Sequence, residues 1–306
     1  MPRCLILNLL LLVFIPSFSV AEQRAATGLE FSFSPPAHAI GTGPKIAIDA
    51  GHNNFHTATG RYKVFTDLLL ADGYQVKSSM GSLDPASLEK VDVLVIANAL
   101  HKDSVKDWSQ SPKPAFTDTE ITILENWITK GGSLLLIADH QPFPGAAFTL
   151  ARAFGFYFYN GYALDPTKSS DQGQILFDRS LGNLHEHAIT QDVESVTTFL
   201  GQAFLAPTAA QPLLSLDHRH ALFLPKKAGA INNSTRSIPV EKWLQGAALK
   251  VGRGRMIVLG EAGGFTAQTN SDRKIGLNHP DGKNNIPFII FQNLRGVYEA
   301  GLLAPW

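Results

Sequence analysis

The sequence has a single cysteine, Cys4, and it lies inside an apolar N-terminal segment. Met1-Pro2-Arg3 gives this segment a positive start, and Ser19-Val20-Ala21 supplies the small residues that a signal peptidase accepts. We therefore expect a signal peptide over residues 1–21, cleaved near Ala21, and a secreted or periplasmic mature chain. That chain would lack cysteine, which excludes disulfides, thiol nucleophiles and thiolate metal ligands.

An excess of charge of either sign is also missing. The chain has 26 Lys and Arg residues against 26 Asp and Glu residues, so its formal net charge is +0. Proteins that bind nucleic acid electrostatically normally show a basic excess or patch, and we therefore expect no nucleic-acid partner. No segment after the signal reaches the roughly 20 apolar residues of a transmembrane helix, so we expect no integral membrane segment once the signal is removed.

Apolar strands alternate with amphipathic helices, which predicts a doubly wound, mostly parallel α/β sheet. Residues 22–43 are rich in Ala, Ser, Pro and Gly and are expected to form a flexible lead-in, followed by one α/β domain over 44–303. The expected strands are Lys45–Asp49, Tyr74–Lys77, Asp92–Ala97, Ser133–Ala138 and Arg255–Gly260. The expected helices are Thr57–Asp72, one that begins at a Thr117–Glu120 capping box, Gly145–Phe154, and a last one carrying Ile286, Ile290, Leu294 and Val297. Residues 156–250 are less regular and predict a β-rich insertion.

Polar side chains follow the predicted strands at the points where the strands end. Because ligands bind beyond the carboxyl ends of parallel strands, these residues are expected to meet at one edge of the sheet. The candidate ligand-binding residues are Asp49, His52, Asn53, Asn54, His56, Asn98, Asp139 and His279. Asp and Asn are also common where they only fix turns, so each residue taken singly has a structural explanation.

Two of these loops also suggest chemistry. His52, His56, Asp139 and His140 are a candidate ligand set for a divalent metal such as zinc, and Glu261 is the candidate general base. His140 and Glu261 are therefore the candidate catalytic residues. A helix starting near Thr57 would also direct free N–H groups toward a ligand in the first loop.

Three segments carry a resemblance to known proteins: Ile48–His56, Gly131–His140 and Gly260–Ala262. They resemble a bacterial secreted family of unknown function whose fold is similar to class I glutamine amidotransferases and to their ThuA-like and intraflagellar-transport-type relatives. The resemblance implies a glutamine-amidotransferase-like, flavodoxin-like fold. In amidotransferases of this fold a cysteine occupies the turn after a central strand, and the matching turn here is Asp139-His140. The resemblance therefore excludes glutamine hydrolysis by that mechanism.

A second resemblance concerns Ile46–His52, which is similar to the opening of zinc-dependent N-acetylmuramoyl-L-alanine amidases. In those enzymes a strand delivers the first zinc-binding histidine, and a glutamate follows at the start of the next helix. This chain has Arg61-Tyr62-Lys63 at that place. The second resemblance therefore suggests zinc-dependent hydrolysis as an alternative chemistry and does not change the expected fold.

Three functions remain open from the sequence. The first is an exported domain that binds a carbohydrate or another cell-envelope ligand, since Asn-rich loops suit hydrogen bonding to hydroxyl groups. The second is a metal-dependent hydrolase of amide or glycan bonds that uses the His and Asp cluster. The third is a structural or interaction domain without a small-molecule site. The first is favoured, because the chain has no compact metal-binding motif.

Overall fold

The computed structural model describes residues 24–26, 28–109, 111–168, 173–270 and 273–289. The expected signal peptide and most of the expected last helix lie outside these ranges, so export and cleavage stay predictions. In the described ranges no helix has both the length and the apolar character needed to span a bilayer.

The described residues form four α-helices and seventeen strands. The helices are α1 (Lys63–Ala71), α2 (Pro85–Leu88), α3 (Asp118–Thr129) and α4 (Phe143–Ala153). The strands are β1 (Arg24–Ala25), β2 (Lys45–Asp49), β3 (Gln75–Ser79), β4 (Val93–Ala97), β5 (Ser133–Ile137), β6 (Tyr157–Phe158), β7 (Tyr162–Leu164), β8 (Ile175–Asp178), β9 (Ser195–Thr198), β10 (Phe204–Leu205), β11 (Gln211–Ser215), β12 (Ala221–Phe223), β13 (Ser237–Pro239), β14 (Leu244–Val251), β15 (Gly254–Leu259), β16 (Ala267–Asn270) and β17 (Arg273–Gly276).

The fold is mixed α/β around one mostly parallel central sheet. Its strand order is β3-β2-β4-β5-β15-β14-β10-β6, with β11 beside β14. The first five strands in this order are parallel, and the strands beyond β15 continue the sheet in antiparallel pairs. Numbered in chain order, the five parallel strands are arranged 2-1-3-4-5. Every residue of β4, β5 and β15 is buried, as expected for parallel strands covered on both faces.

Helices cover both faces of this sheet. Val64, Phe65 and Leu68 of α1 pack in one hydrophobic core, while α2, α3 and α4 pack in the other. The predicted capping box starts α3: Thr117 Oγ1 accepts a hydrogen bond from Glu120 N at 3.3 Å, and Glu120 Oε2 accepts one from Thr117 N at 3.0 Å. Both bonds satisfy backbone donors that the first turn of a helix leaves free.

The first helix begins later than the sequence pattern predicts. The expected start at Thr57 is wrong, because residues 57–62 form turns in which Gly60 N and Tyr62 N both donate to Thr57 O. Tyr62 is one of the residues whose apolar spacing suggested a helix. It lies in this turn and is nevertheless fully buried in the core. The α1 N-terminus at Lys63 therefore does not directly follow the loop over residues 51–56.

The region between α4 and β14 is built from short strands. β12 pairs with β7 and β13, and β8 pairs with β9. Two later strands, β16 and β17, form a hairpin, and β1 from the lead-in pairs with the outer edge of β16. Leu29, Phe31 and Phe33 of the same lead-in pack against the larger core. The lead-in therefore makes specific contacts in its described part.

Candidate functional site

An open cleft of about 340 Å³ lies where several strands of the central sheet end. Asp139 and His140 follow β5, Glu261 follows β15, and His56 comes from the loop after β2. These four of the predicted site residues are brought together. The other lining residues are Phe55, Trp108, Phe143, Phe199, Leu200, Gly263, Gln268, Asn270, Arg273 and Ile275.

Asn98, at the end of β4, orients two residues of the cleft. Its Oδ1 accepts a hydrogen bond from Asp139 N at 3.0 Å. The other terminal atom of the Asn98 side chain is therefore the amide nitrogen, Nδ2. Asn98 Nδ2 donates to Asp139 Oδ2 at 2.8 Å and to His56 Nδ1 at 3.0 Å. The residue has a positive φ of 52°, a conformation that Asn tolerates better than most residues. Asn98 is therefore a positioning residue behind the cleft.

His56 is held as a neutral imidazole. Because Nδ1 accepts the Asn98 bond, the ring proton is on Nε2. Burial and then the charges of Arg61 and His140 lower the pKa of His56 to about 3. The ring packs against Phe55 and Tyr62 at centroid distances of 5.5 and 4.8 Å. At neutral pH His56 thus presents a hydrogen-bond donor and no charge.

Asp139 is a cleft-lining member of the same network. Its Oδ1 has no hydrogen-bond partner among the described residues, although the residue is only 6% exposed. Burial raises the pKa of Asp139, while the charge of His140 and the Asn98 hydrogen bond oppose that rise. His140 Nε2 lies 3.9 Å from Asp139 Oδ1, and His140 Nδ1 donates to Gln141 O at 2.8 Å. The His140 ring stacks on Tyr162 at 4.9 Å and 14°.

Glu261 is a buried carboxyl group at the end of β15. Gly263 N and Gly264 N donate to its two oxygens, so the side chain also shapes the short helical turn that follows. Burial and then the charge of Asp139 raise the pKa of Glu261 to about 8, against the opposing effect of the backbone hydrogen bonds. With this pKa Glu261 holds its proton at neutral pH, and the predicted role of general base stays a prediction.

His52 lies apart from the cleft, in a bridge between two carboxylates. Its Nδ1 contacts Asp49 Oδ2 at 2.8 Å and its Nε2 contacts Glu120 Oε1 at 3.0 Å. Burial lowers the pKa of His52, but hydrogen bonds and charges from Asp49 and Glu120 outweigh it, so the net pKa is raised. The ring also packs on Phe116 at 4.4 Å. This bridge joins the end of β2 to the start of α3.

Two other predicted residues fix backbone near these groups. Asn53, with a positive φ of 47°, donates from Nδ2 to Leu100 O at 3.2 Å. Asn54 Oδ1 accepts from His52 N at 3.1 Å. His279 is placed elsewhere: it packs on Phe199 at 5.2 Å, its Nδ1 accepts from Asp281 N at 3.2 Å, and it lines a second pocket with Asp281 and Asn284. Asp49, Asn53, Asn54 and His279 are not among the cleft-lining residues.

The four predicted metal ligands do not assemble in the described part of the chain. There, no group of three or more His, Cys, Asp or Glu side chains is arranged to hold a metal ion. The physical reason lies in the partners of each ring: both nitrogens of His52 face carboxylates, and His56 Nδ1 accepts from Asn98. Asp139 Oδ1 is the atom among these four residues that is buried without a hydrogen-bond partner in the described ranges.

Several cleft residues were not predicted from the sequence. Phe55, Trp108 and Phe143 form an aromatic wall with mutual centroid distances of 5.3–5.4 Å. Gln268 and Arg273 come from the β16–β17 hairpin. The alternation of Gln268 and Asn270 along β16 is a period-2 signal that would have placed both on one face, had this hairpin been recognised.

Comparisons with known proteins bear on the fold. No protein-family profile matches the chain, and no curated protein matches its sequence. Among solved structures, the mmIFT52 N-terminal domain is similar at 13% identity with a TM-score of 0.56, covering 83% of this chain and 96% of that one. A ThuA-like protein from Bacteroides uniformis has 14% identity and a TM-score of 0.47, covering 84% of this chain and 92% of that one. These likenesses concern the α/β fold alone.

Proposed function

We propose that the cleft binds a hydroxyl-rich ligand of the carbohydrate class, such as a cell-envelope glycan. The observation that carries this proposal is Asp139 Oδ1, a buried carboxyl oxygen of a cleft-lining residue that has no hydrogen-bond partner in the described residues. A buried acceptor of this kind is costly unless a ligand supplies a donor. The export that the N-terminal segment predicts would bring the cleft to such glycans.

The aromatic wall supports the same class of ligand. Small-molecule sites combine apolar and aromatic lining with a few placed polar groups. Here Phe55, Trp108 and Phe143 form the apolar side, and Asp139 and His140 provide the polar groups. A sugar ring presents C–H bonds on its face and hydroxyl groups at its edge, so it would use both sides of the cleft.

The fold is proposed to be of the glutamine-amidotransferase-like type. The order 2-1-3-4-5 of the parallel strands is that of flavodoxin-like sheets, whose ligands sit beyond the carboxyl ends of the strands. The similarity to the mmIFT52 N-terminal domain supports this assignment of fold. Asp139 and His140 occupy the turn after β5 where amidotransferases carry cysteine, so glutamine hydrolysis is not proposed.

The metal-dependent hydrolase is not carried forward. That hypothesis needs His52 and His56 beside Asp139, and the ring nitrogens of His52 are engaged by Asp49 and Glu120. A purely structural domain would leave unexplained why a cleft-lining residue has a buried acceptor without a partner in the described residues.

The proposal is tested by titrating the mature chain with a panel of mono- and oligosaccharides in a calorimeter. We expect binding to at least one panel member, weakened tenfold or more by Asp139→Asn, which keeps the shape of the side chain. Asp118→Asn is the matched control, because Asp118 is exposed at the start of α3. Equal affinities for both variants would refute the assignment of the site.

Tryptophan fluorescence provides a second measurement. Trp108 lines the cleft, whereas Trp127 is a half-buried residue of α3 that is not among the cleft-lining residues. Binding should change the fluorescence of the wild type and of Trp127→Phe. The change should be lost in Trp108→Phe, and its persistence there would place the ligand elsewhere.

A further inference from the structure

The cleft contains three hydrogen-bond acceptors whose orientation is fixed by their neighbours. The first is Asp139 Oδ1. Asn98 Nδ2 occupies the other oxygen of this carboxyl group, Oδ2, at 2.8 Å, and Asn98 itself is oriented by Asp139 N. Oδ1 is buried with no protein donor in the described residues, in a side chain that lines the cleft.

The second acceptor is His140 Nε2. The carbonyl oxygen of Gln141 can only accept, so its 2.8 Å bond to His140 Nδ1 places the proton of the neutral ring on Nδ1. The lone pair is then on Nε2, 3.9 Å from Asp139 Oδ1. Stacking on Tyr162 holds the plane of the ring.

The third acceptor is Gln268 Oε1. Thr266 Oγ1 uses its hydrogen on Gly263 O at 2.7 Å, so it can only accept from Gln268 at 2.8 Å. The amide nitrogen of Gln268 therefore faces Thr266, and Oε1 faces away from it. Gln268 lines the cleft and is 3% exposed, and its Oε1 has no partner in the described residues.

A ligand group that satisfies these acceptors needs more than one hydrogen to donate. A hydroxyl group has one hydrogen, whereas a protonated primary amine has three and carries the charge that a carboxylate favours. The 3.9 Å between Asp139 Oδ1 and His140 Nε2 lets one nitrogen atom lie within hydrogen-bond distance of both. Glu261 adds a second carboxyl group to the lining. Arg61 already lies over the Phe55 ring at 3.8 Å, so the aromatic rings of the wall open to a ligand cation are Trp108 and Phe143.

We infer that the ligand bears a protonated amino group, seated at Asp139 Oδ1, His140 Nε2 and Gln268 Oε1, so that the preferred class is an amino sugar. This inference rests on the proposed function and narrows it. Arg273 is the single Lys or Arg in the lining described for the cleft. It is exposed on the hairpin, where solvent screens its charge from the buried acceptors.

The test compares four probes by calorimetry at about pH 7, where an ordinary histidine ring is mainly neutral and an amine of pKa near 8 or above is mainly protonated. Glucose, N-acetylglucosamine and glucosamine differ at one position, and cyclohexylamine has the amine without the sugar. We expect glucosamine to bind at least tenfold more tightly than glucose or N-acetylglucosamine. Asp139→Asn should abolish this preference, and Asp118→Asn should keep it.

His140→Phe is the second variant, because it retains an aromatic ring to stack on Tyr162 and removes the acceptor. It should reduce the preference for glucosamine, with circular dichroism and thermal melting used to verify that both variants are folded. Equal affinity for glucose and glucosamine would overturn the inference and leave the proposed function standing. Binding of cyclohexylamine without any sugar would overturn the proposed function and support the amine site. Binding of none of the four would overturn both.

Discussion

The side-chain amide of Asn98 donates to Nδ1 of His56 across 3.0 Å, and so determines which nitrogen of that buried ring carries the proton. The same amide group holds Asp139 through both its backbone N–H and its carboxyl group. One residue at the end of β4 thus sets the donor and acceptor pattern of two loops that are distant in sequence.

Removing the side chain of Asn98 is predicted to lower the free energy of unfolding more than removing that of Asn53. Both residues have positive φ, so Asn98→Gly and Asn53→Gly avoid backbone strain and are matched. Asn98→Gly loses three buried hydrogen bonds and should lower the free energy of unfolding by about 2–4 kcal/mol, against about 1 kcal/mol for the single bond of Asn53. Urea denaturation measures both values, and equal losses would contradict the role of Asn98.

Glu120 is predicted to contribute part of the acid sensitivity of the fold. Burial raises the pKa of Glu120, but bonds from Thr117, His52 and Leu83 outweigh it and lower the pKa from 4.5 to about 2. Because the folded pKa is depressed, the stabilisation is complete above pH 4.5 and is lost as the pH falls toward about 2. Denaturation at stepped pH should show this loss in the wild type and in Glu125→Gln, and a smaller one in Glu120→Gln. Identical acid profiles for the two variants would show that Glu120 is not responsible.

His52 is predicted to titrate above its ordinary value of 6.5, because Asp49 and Glu120 contact its two nitrogens. With a raised pKa in the folded state, its contribution to stability is complete below pH 6.5 and is lost as the pH rises through the folded pKa. NMR titration of the ring measures the pKa directly. Glu120→Gln should lower it, since one negative partner is removed, and Glu125→Gln should leave it unchanged. A pKa at or below 6.5 in the wild type would contradict the bridge.

The sequence was sufficient for the parts of the fold that depend on local pattern. Buried parallel strands read as continuous apolar runs, which is why β4 and β5 were found nearly to the residue. The capping box at Thr117 and Glu120 is equally local. The predicted start of α1 was wrong because Tyr62 is buried although it lies in a turn. An apolar pattern does not distinguish such a turn from a helix.

The site was predictable only to the level of the sheet edge. The rule that polar strand-end residues converge brought His56, Asp139, His140 and Glu261 together correctly. The rule did not separate His52 from them, because Glu120, the partner of His52, is distant in sequence. The capping role of Glu120 gave no indication that Glu120 also contacts His52. Gln268 was missed for the related reason that a short hairpin carries a weak signal.

Glu261 provides a last prediction, on the alkaline side. Its pKa is raised from 4.5 to about 8, first by burial and then by the charge of Asp139. Between these values the folded state keeps a proton that the unfolded state has released. Stability therefore falls as the pH rises through this window, by about 1.4 kcal/mol per pH unit at most, and levels off above about 8. Glu261→Gln has no proton to lose at this position, and its difference from the wild type should therefore change across pH 4.5–8. Glu125→Gln, at a half-buried position of α3, is the control, and its curve should run parallel to that of the wild type throughout. Parallel curves for Glu261→Gln as well would mean that the carboxyl group is ionised at neutral pH, and the cleft would then hold a second negative charge in place of a neutral acid.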